Sequence, residues 1–451
     1  MSAAAPRSIW SSRPAFILVT VGSAVGLGNI WRFSYMAGAQ GGSAFVLVYL
    51  SCVALVGLPL LMAEILIGRR GRGNPISAML KVAEENGASS WWGLLGWFGA
   101  VGALLILSYY SVVAGWIVDY LAQSVSGAAI VTARDAAQGF DALLENPSKL
   151  IFWHTVFLAL TVGVVARGVI SGIERASMLM LPALFGILLF LVLWGAVMGD
   201  MRAAWHFMFD FKPQQLTGQV VLSAMGHAFF SLSLGMGAIM TYGSYLNKQS
   251  SIAHNSLWIA FADTLVGLLA GLAIFSLTFA HGLEASSGPG LIFQTLPLVF
   301  THMPGGRIIG TLFFLLVLFA AWTSAISLLE PFVAWATERL GMRRALAACG
   351  AGFAVWLLGV AVCLSFNVWR DWRIFDLNLF NQLDFLTNRI IMPLSGLAIA
   401  LFAGFVMARE NVRDEIRLPA AQFRLWLWTL RYVTILAIVL VFVYRLMNPE
   451  S

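Results

Sequence analysis

The sequence predicts an all-α polytopic membrane protein. It reads as eleven transmembrane helices: two five-helix inverted repeats with broken first and sixth helices, plus one extra C-terminal helix. Three observations lead there. Of 451 residues, 60% are hydrophobic and only 11% charged, against about 25% charged in soluble domains, and mean hydropathy is +0.84. Apolar runs near the roughly 20-residue length of a bilayer span recur eleven times between charged segments. Two of those runs, five spans apart, are interrupted midway by glycine and serine.

The runs lie near 14–36, 42–68, 92–125, 149–166, 172–199, 217–246, 252–281, 307–338, 345–366, 374–408 and 422–447. Each is read as a helix because a lone helix satisfies its own backbone in lipid. Residues 1–13 precede the first span, 14–199 form the first repeat, 217–408 the second, and 422–447 the added span. With the N-terminus inside, 16 of the 27 basic residues fall on cytoplasmic segments and 8 on outer ones. That asymmetry supports a cytoplasmic N-terminus and, after an odd number of crossings, an outside C-terminus. Arg32, Arg389 and Arg431 remain within spans. The first run lacks a small-residue cleavage pattern, so no signal peptide is read. Asn146-Pro147-Ser148 fails as a glycosylation sequon and no other sequon occurs. A bacterial inner (plasma) membrane is the expected location. The longest outer loops are read at 124–148 and 282–306, and segment 409–424 as a solvated inner loop.

Composition excludes a soluble enzyme, a nucleic-acid binder and a disulfide module. Cys52, Cys349 and Cys363 lie in apolar stretches with neither metal-site nor disulfide-framework spacing. The lipid bilayer is the expected partner, and the sequence leaves oligomeric state open. No His/Asp/Glu cluster has metal-ligand spacing and no nucleophile–base pair stands out, so an intramembrane enzyme is disfavoured.

The interruptions carry the functional signal. The first span contains Gly22-Ser23-Ala24-Val25-Gly26-Leu27-Gly28-Asn29, and the sixth Ser231-Leu232-Ser233-Leu234-Gly235-Met236-Gly237. Glycine costs a helix about 1 kcal/mol relative to alanine. Such clusters serve close helix packing or mark unwinding. Their recurrence after an odd number of spans favours unwinding, because the second copy then enters the membrane from the opposite side. That is the arrangement of secondary transporters, whose discontinuous helices meet at the midplane.

With these motifs the sequence resembles the neurotransmitter:sodium symporter family. Gly22 to Phe33 resembles its first-span signature, Phe229 to Gly237 its sixth, and Thr323-Ser324 with Glu330-Pro331 its eighth. The resemblance implies sodium-coupled symport of an L-amino acid by alternating access. The N–H groups of Gly26, Leu27 and Gly28, with the Tyr110 hydroxyl, would hold the substrate carboxylate. The carbonyls of Ala24, Phe230 and Ser231 and the Ser233 hydroxyl would hold the amine. Ile106, Phe230, Met236, Ser327 and Leu328 would surround the side chain, which their apolar character makes hydrophobic or aromatic. Members that handle monoamines carry aspartate at the position of Gly26, so glycine implies that the substrate brings its own carboxylate.

Two Na+ sites follow from the same likeness, and no organic cofactor is expected. The first would use Ala24, Asn29, Ser231, Asp263 and the substrate carboxylate, an all-oxygen set suited to a hard cation. The second would use the carbonyls of Gly22, Val25 and Ala320 with the hydroxyls of Thr323 and Ser324. Arg32 and Asp384 would form the outer gate with Phe230 as lid. Arg7 and Glu338 would form the inner gate, supported by Trp10, Tyr245 and Glu330. Glu64 would bond the unwound sixth-span backbone. Asp263 departs from the family's usual asparagine, and a fixed carboxylate beside sodium predicts chloride-independent transport. A membrane sensor that binds an amino acid without moving it is the alternative function. Arg389 has no assigned role.

Overall fold

The structure, a computed structural model, describes residues 10–127, 132–283 and 290–447. Among these, nine helices are long and apolar enough to cross a membrane: Ser43–Gly71, Ser90–Ser126, Pro147–Ala166, Val169–Met198, Ile252–Ala280, Gly306–Arg339, Arg344–Leu364, Leu379–Val406 and Ala420–Tyr444. A tenth crossing is the pair Arg13–Ala24 and Gly28–Ala39, bent by 56° at its break. Between the Val169–Met198 and Ile252–Ala280 helices, after the short helix Met201–Phe209, lie Gly218–Ser231 and Ala238–Ser244. Residues 232–237 separate them, the stretch where the sequence predicted unwinding.

Local chemistry sets the helix starts. Side-chain oxygens of Ser12, Asn146 and Thr217 accept the N–H of Ala15, Lys149 and Val220 at 3.2, 3.0 and 3.2 Å, satisfying amides that have no intrahelical partner. The second break is held open by backbone conformation. Ser233, Gly235 and Gly237 have φ of 53°, 81° and 73°, a region that favours residues without Cβ. At Gly235 a Cβ would also come within 2.8 Å of the Met392 carbonyl oxygen, so glycine is required there twice over.

Several expectations are corrected. The span read from 374 starts as a helix only at Leu379: Phe375 and Asp376 have positive φ and Asn378 caps the helix that follows. The outer segments read as loops contain the helices Ala133–Glu145 and Leu291–His302. Segment 409–424 contains the helix Arg409–Ile416 and is tied down. Arg69, which is 1% exposed, donates to the Glu415 carboxylate and to the carbonyls of Ser250 and Glu415. A buried guanidinium needs this many acceptors to offset its lost hydration.

The long helices Ser90–Ser126 and Gly306–Arg339 pack against each other at the centre. Val169–Met198 lies at the periphery and exposes Leu179, Leu193 and Val197. A lipid-facing helix is stable with an apolar outer side because hydrocarbon is its solvent. The broken helices sit in the interior, where their freed backbone groups find partners.

Candidate functional site at the paired helix breaks

The two breaks face each other around one small cavity, about 30 Å³ in volume. It is lined by all twelve residues assigned to substrate from the sequence: Ala24, Gly26, Leu27, Gly28, Ile106, Tyr110, Phe230, Ser231, Ser233, Met236, Ser327 and Leu328. Ser23, Ala238 and Ser324 line it as well. At this size it holds about two waters, so an amino-acid-sized ligand requires its walls to move.

Polar groups in the cavity are mostly engaged with one another. The Leu27 N–H donates to the Tyr110 hydroxyl at 3.3 Å. The Gly26 N–H donates to Asn29 Oδ1 at 3.0 Å, so of the amides expected to meet a carboxylate this one is already engaged. The Ser233 hydroxyl donates to the Ser23 carbonyl at 2.8 Å, and Tyr242 donates to the Ser327 hydroxyl at 2.9 Å. Ser23 Oγ is buried without a hydrogen-bond partner among the described residues. A Cβ on Gly26 would lie 2.6 Å from Ser324 Oγ and 3.1 Å from Tyr110 Oη. Any side chain there would crowd the Ser324 and Tyr110 hydroxyls.

Two oxygen clusters flank the cavity. In the first, Asn29 Nδ2 donates to Asp263 Oδ1 at 2.8 Å and lies 3.3 Å from Ser231 Oγ. Ser231 donates to the other Asp263 oxygen, and the Tyr49 hydroxyl lies 3.1 Å from Ser231 Oγ. Asp263 is fully buried. Tyr49 was not singled out in the sequence; its only signal is a hydroxyl in the middle of an apolar run. In the second cluster, Ser324 Oγ lies 3.0, 3.3 and 3.4 Å from the carbonyls of Val25, Ser23 and Gly22. One hydroxyl proton serves one acceptor well, so three carbonyls converging on one oxygen crowd lone pairs that a cation would relieve. Thr323 adjoins this cluster, with its methyl carbon 3.4 Å from the Cβ position of Gly22, but its hydroxyl donates to the carbonyls of Phe319 and Ala320 at 3.0 and 3.2 Å. The second donor set is all-oxygen, as a hard cation requires; in the first, Asn29 presents its amide nitrogen to Asp263 and Ser231 and its oxygen to the Gly26 N–H.

Phe230 separates the cavity from a vestibule of about 190 Å³ that Arg32, Asp384, Tyr109 and Phe380 also line. Arg32 and Asp384 do not pair directly. The guanidinium carbon of Arg32 lies 5.0 Å from the Phe230 ring centroid, a cation–π contact, and Asp384 accepts from the Asn388 amide. Arg389 borders an adjoining chamber of about 320 Å³ that Arg32 and Asp384 share, with its guanidinium over Phe385.

Beyond Ser327, which bonds Tyr242, the aromatic and acidic residues assigned to the inner gate are engaged with one another and with neighbouring backbone. Trp10 donates through Nε1 to the Tyr242 carbonyl at 3.1 Å and packs edge-on against Tyr242 and Tyr245. Tyr245 donates to Glu330 at 3.1 Å. Glu338 accepts from the backbone and side-chain amides of Asn74 at 2.9 and 2.8 Å. Arg7, its expected partner, lies outside the described residues. The Glu64 carboxylate accepts the Gly235 N–H at 2.6 Å, within the stretch 232–237.

By sequence Arg344 is one of the 16 basic residues on cytoplasmic segments, yet it pairs with fully buried Glu330. Only folding reveals this, because a turn separates the two residues. Arg344→Ala strands Glu330, and breaking a buried pair costs about 3–5 kcal/mol. The variant is expected to show a clearly lowered unfolding temperature in detergent, while Glu330→Met/Arg344→Met recovers part of it.

The sodium:neurotransmitter symporter family model matches residues 7–132 and 136–451. The chain is 37% identical to YhdH of Bacillus subtilis, described as an uncharacterized sodium-dependent transporter, over 96% of each chain. It is 27% identical to SLC6A17 of Rattus norvegicus, a sodium-dependent neutral amino acid transporter, over 60% of this chain and 40% of that one. Among solved structures, MhsT in complex with L-phenylalanine matches with TM-score 0.89 and 39% identity, covering 97% of this chain and 99% of that one. The breaks, the oxygen clusters and these likenesses agree: the chain belongs to the sodium:neurotransmitter symporter family, and is a multi-pass membrane transporter rather than an enzyme.

Proposed function

We propose that this protein carries a hydrophobic or aromatic L-amino acid into the cell together with Na+, by alternating access and without a requirement for chloride. One observation carries the reading: the cavity between the two helix breaks sets Gly26, which has no side chain, beside the Tyr110 and Ser324 hydroxyls and has apolar walls at Ile106, Met236 and Leu328. A substrate with its own carboxylate and an apolar side chain fits that division. The L-phenylalanine bound by MhsT is of this chemistry, and the SLC6A17 description names neutral amino acids, which also bring their own carboxylate.

Two sodium ions accompany the substrate in this proposal. One sits at Ala24, Asn29, Ser231 and Asp263 and shares the substrate carboxylate. Because each ligand then completes the other's site, each raises the other's affinity. The second bridges the first broken helix to Gly306–Arg339 through Gly22, Val25, Ala320, Thr323 and Ser324. Arg32, Asp384 and Phe230 close the outer side; Trp10, Tyr245, Glu330 and Glu338, with Arg7, close the inner side. The architecture in this reading has eleven crossings, counting Gly218–Ser231 with Ala238–Ser244 as one, in two inverted repeats within 14–199 and 217–408. The N-terminus is cytoplasmic and the membrane is the bacterial plasma membrane.

The test is a thermal-shift screen of the L-amino acids in NaCl and in KCl. Binding to the folded state raises the melting temperature by mass action. Stabilisation by apolar or aromatic amino acids only with sodium is the expected result. Stabilisation independent of sodium would overturn coupling. Binding without sodium-driven accumulation in proteoliposomes would establish a sensor instead.

A further inference from the structure

The segment just ahead of the first broken helix is held by a contact that the site described above does not use. Ser11 offers both its backbone N–H, at 3.1 Å, and its hydroxyl to the two carboxylate oxygens of Glu174. Glu174 is only 3% exposed. It ends a π-helical turn, Val169–Glu174, that opens the Val169–Met198 helix after Gly168 with φ 107°. The turn is tightly set: a Cβ on Gly172 would lie 2.1 Å from the Val164 carbonyl oxygen. The acceptor is therefore fixed in a rigid corner, whereas residues 11–14 are exposed on the surface.

The neighbouring anchors differ in kind. The Trp10 N–H and ring N–H donate to the backbone carbonyls of Tyr245 and Tyr242 at 3.3 and 3.1 Å. Arg13 donates to the Asn255 side chain at 2.9 Å. Each of these has a neutral acceptor. Glu174 supplies a charged acceptor for the segment, and bonds to a charged group contribute about 1.5–3 kcal/mol each. A carboxylate that loses such bonds regains hydration once it meets water, so the closed and open arrangements stay close in free energy. A purely apolar contact would lack that compensation.

We propose that Glu174 is the latch that holds the N-terminal segment closed against the start of the Val169–Met198 helix, and that its release is a step in opening the cytoplasmic side. The helix it restrains, Arg13–Ala24, bears Gly22 and ends beside Val25, whose carbonyls meet Ser324. Opening that helix thus separates the second oxygen cluster in the same movement. Glu174 is a positioning residue here; it lines neither the cavity nor the oxygen cluster at Ser324. The role rests on the transport reading and orientation given above.

Hydrogen exchange of the full-length protein in nanodiscs reads the latch directly, because the Ser11 amide is one of its two donors. Glu174→Gln is expected to speed exchange at Ser11 at least tenfold in NaCl while residues 252–262 keep their protection. In proteoliposomes the same variant needs several-fold more external sodium for half-maximal uptake and releases preloaded substrate several-fold faster. Ser11→Ala, which keeps the N–H, gives an intermediate effect, and the double variant is no worse than Glu174→Gln. Unchanged Ser11 exchange, or faster exchange with unchanged sodium dependence and efflux, overturns the latch. Equal loosening of residues 252–262 reduces Glu174 to a structural role and also overturns it. Absence of sodium-driven uptake by the unaltered protein overturns the transport reading and the latch's role with it, whereas normal uptake with unchanged exchange overturns the latch alone.

Discussion

Gly26→Asp is expected to abolish uptake of amino acids, with at least a hundredfold loss of apparent affinity. The new Cβ would stand 2.6 Å from Ser324 Oγ and 3.1 Å from Tyr110 Oη. The carboxylate it carries would then occupy the region where the proposed substrate places its own. Two carboxylates in one dry site repel strongly, and specificity gained through such a clash is large. Gly26→Ala separates the effects: it brings the crowding of Ser324 without the charge, and is expected to lose far less affinity. The informative gain is in the other direction. An amine without a carboxylate, such as phenethylamine, is expected to stabilise Gly26→Asp against heat in sodium and to leave the unaltered protein unaffected. Retained L-phenylalanine uptake by Gly26→Asp would remove Gly26 from the carboxylate site.

Asp263→Asn carries the second large effect. Asp263 is fully buried, accepts from Asn29 at 2.8 Å and from Ser231, and is the one acid in that cluster. At an effective dielectric near 20, unit charges about 4 Å apart interact by roughly 4 kcal/mol. Losing part of that attraction raises the sodium concentration for half-maximal uptake by about two orders of magnitude, since each tenfold step is about 1.4 kcal/mol. The amide also turns one acceptor into a donor beside Asn29 and Ser231, which adds to the loss. Uptake by the unaltered protein is expected to be the same in sodium chloride and sodium gluconate. In Asp263→Asn, added chloride is expected to restore part of the sodium affinity by supplying the missing negative charge. A chloride requirement in the unaltered protein would refute the compensation argument.

Much of this was legible along the chain because the bilayer imposes a one-dimensional rule. Span limits read from hydropathy fall within about two residues of the helix ends for Ser90–Ser126, Pro147–Ala166 and Ile252–Ala280. The break at 232–237 was legible because glycine alone makes φ near 80° cheap, as at Gly235. The cavity was legible only through the family resemblance. Spacing places Gly26 and Ser233 on two interrupted helices, and says nothing of Ile106, Tyr110 or Leu328 meeting them.

Other features had no sequence signal. Arg69, Arg344 and Glu174 look like loop or span-end charges, and the count of basic residues separates neither arginine from its neighbours and leaves Glu174 out. Their partners, Glu415, Glu330 and Ser11, come from segments brought together by packing. Phe375 and Asp376 delay a helix whose apolar run begins earlier, because their backbone conformation overrides composition.

The sequence by itself determined that this chain lives in a bilayer, roughly where it crosses, and where two crossings come apart. Those are properties of single segments, governed by hydrophobic length and the conformational freedom of glycine. Tertiary structure alone decided that the Ser23 carbonyl joins those of Gly22 and Val25 at Ser324, that Tyr49 lies against Ser231, and that Arg69 meets Glu415. These depend on distances between segments hundreds of residues apart. In a dry interior a polar group must find a partner across that distance, so the packing that supplies the partner also sets the chemistry.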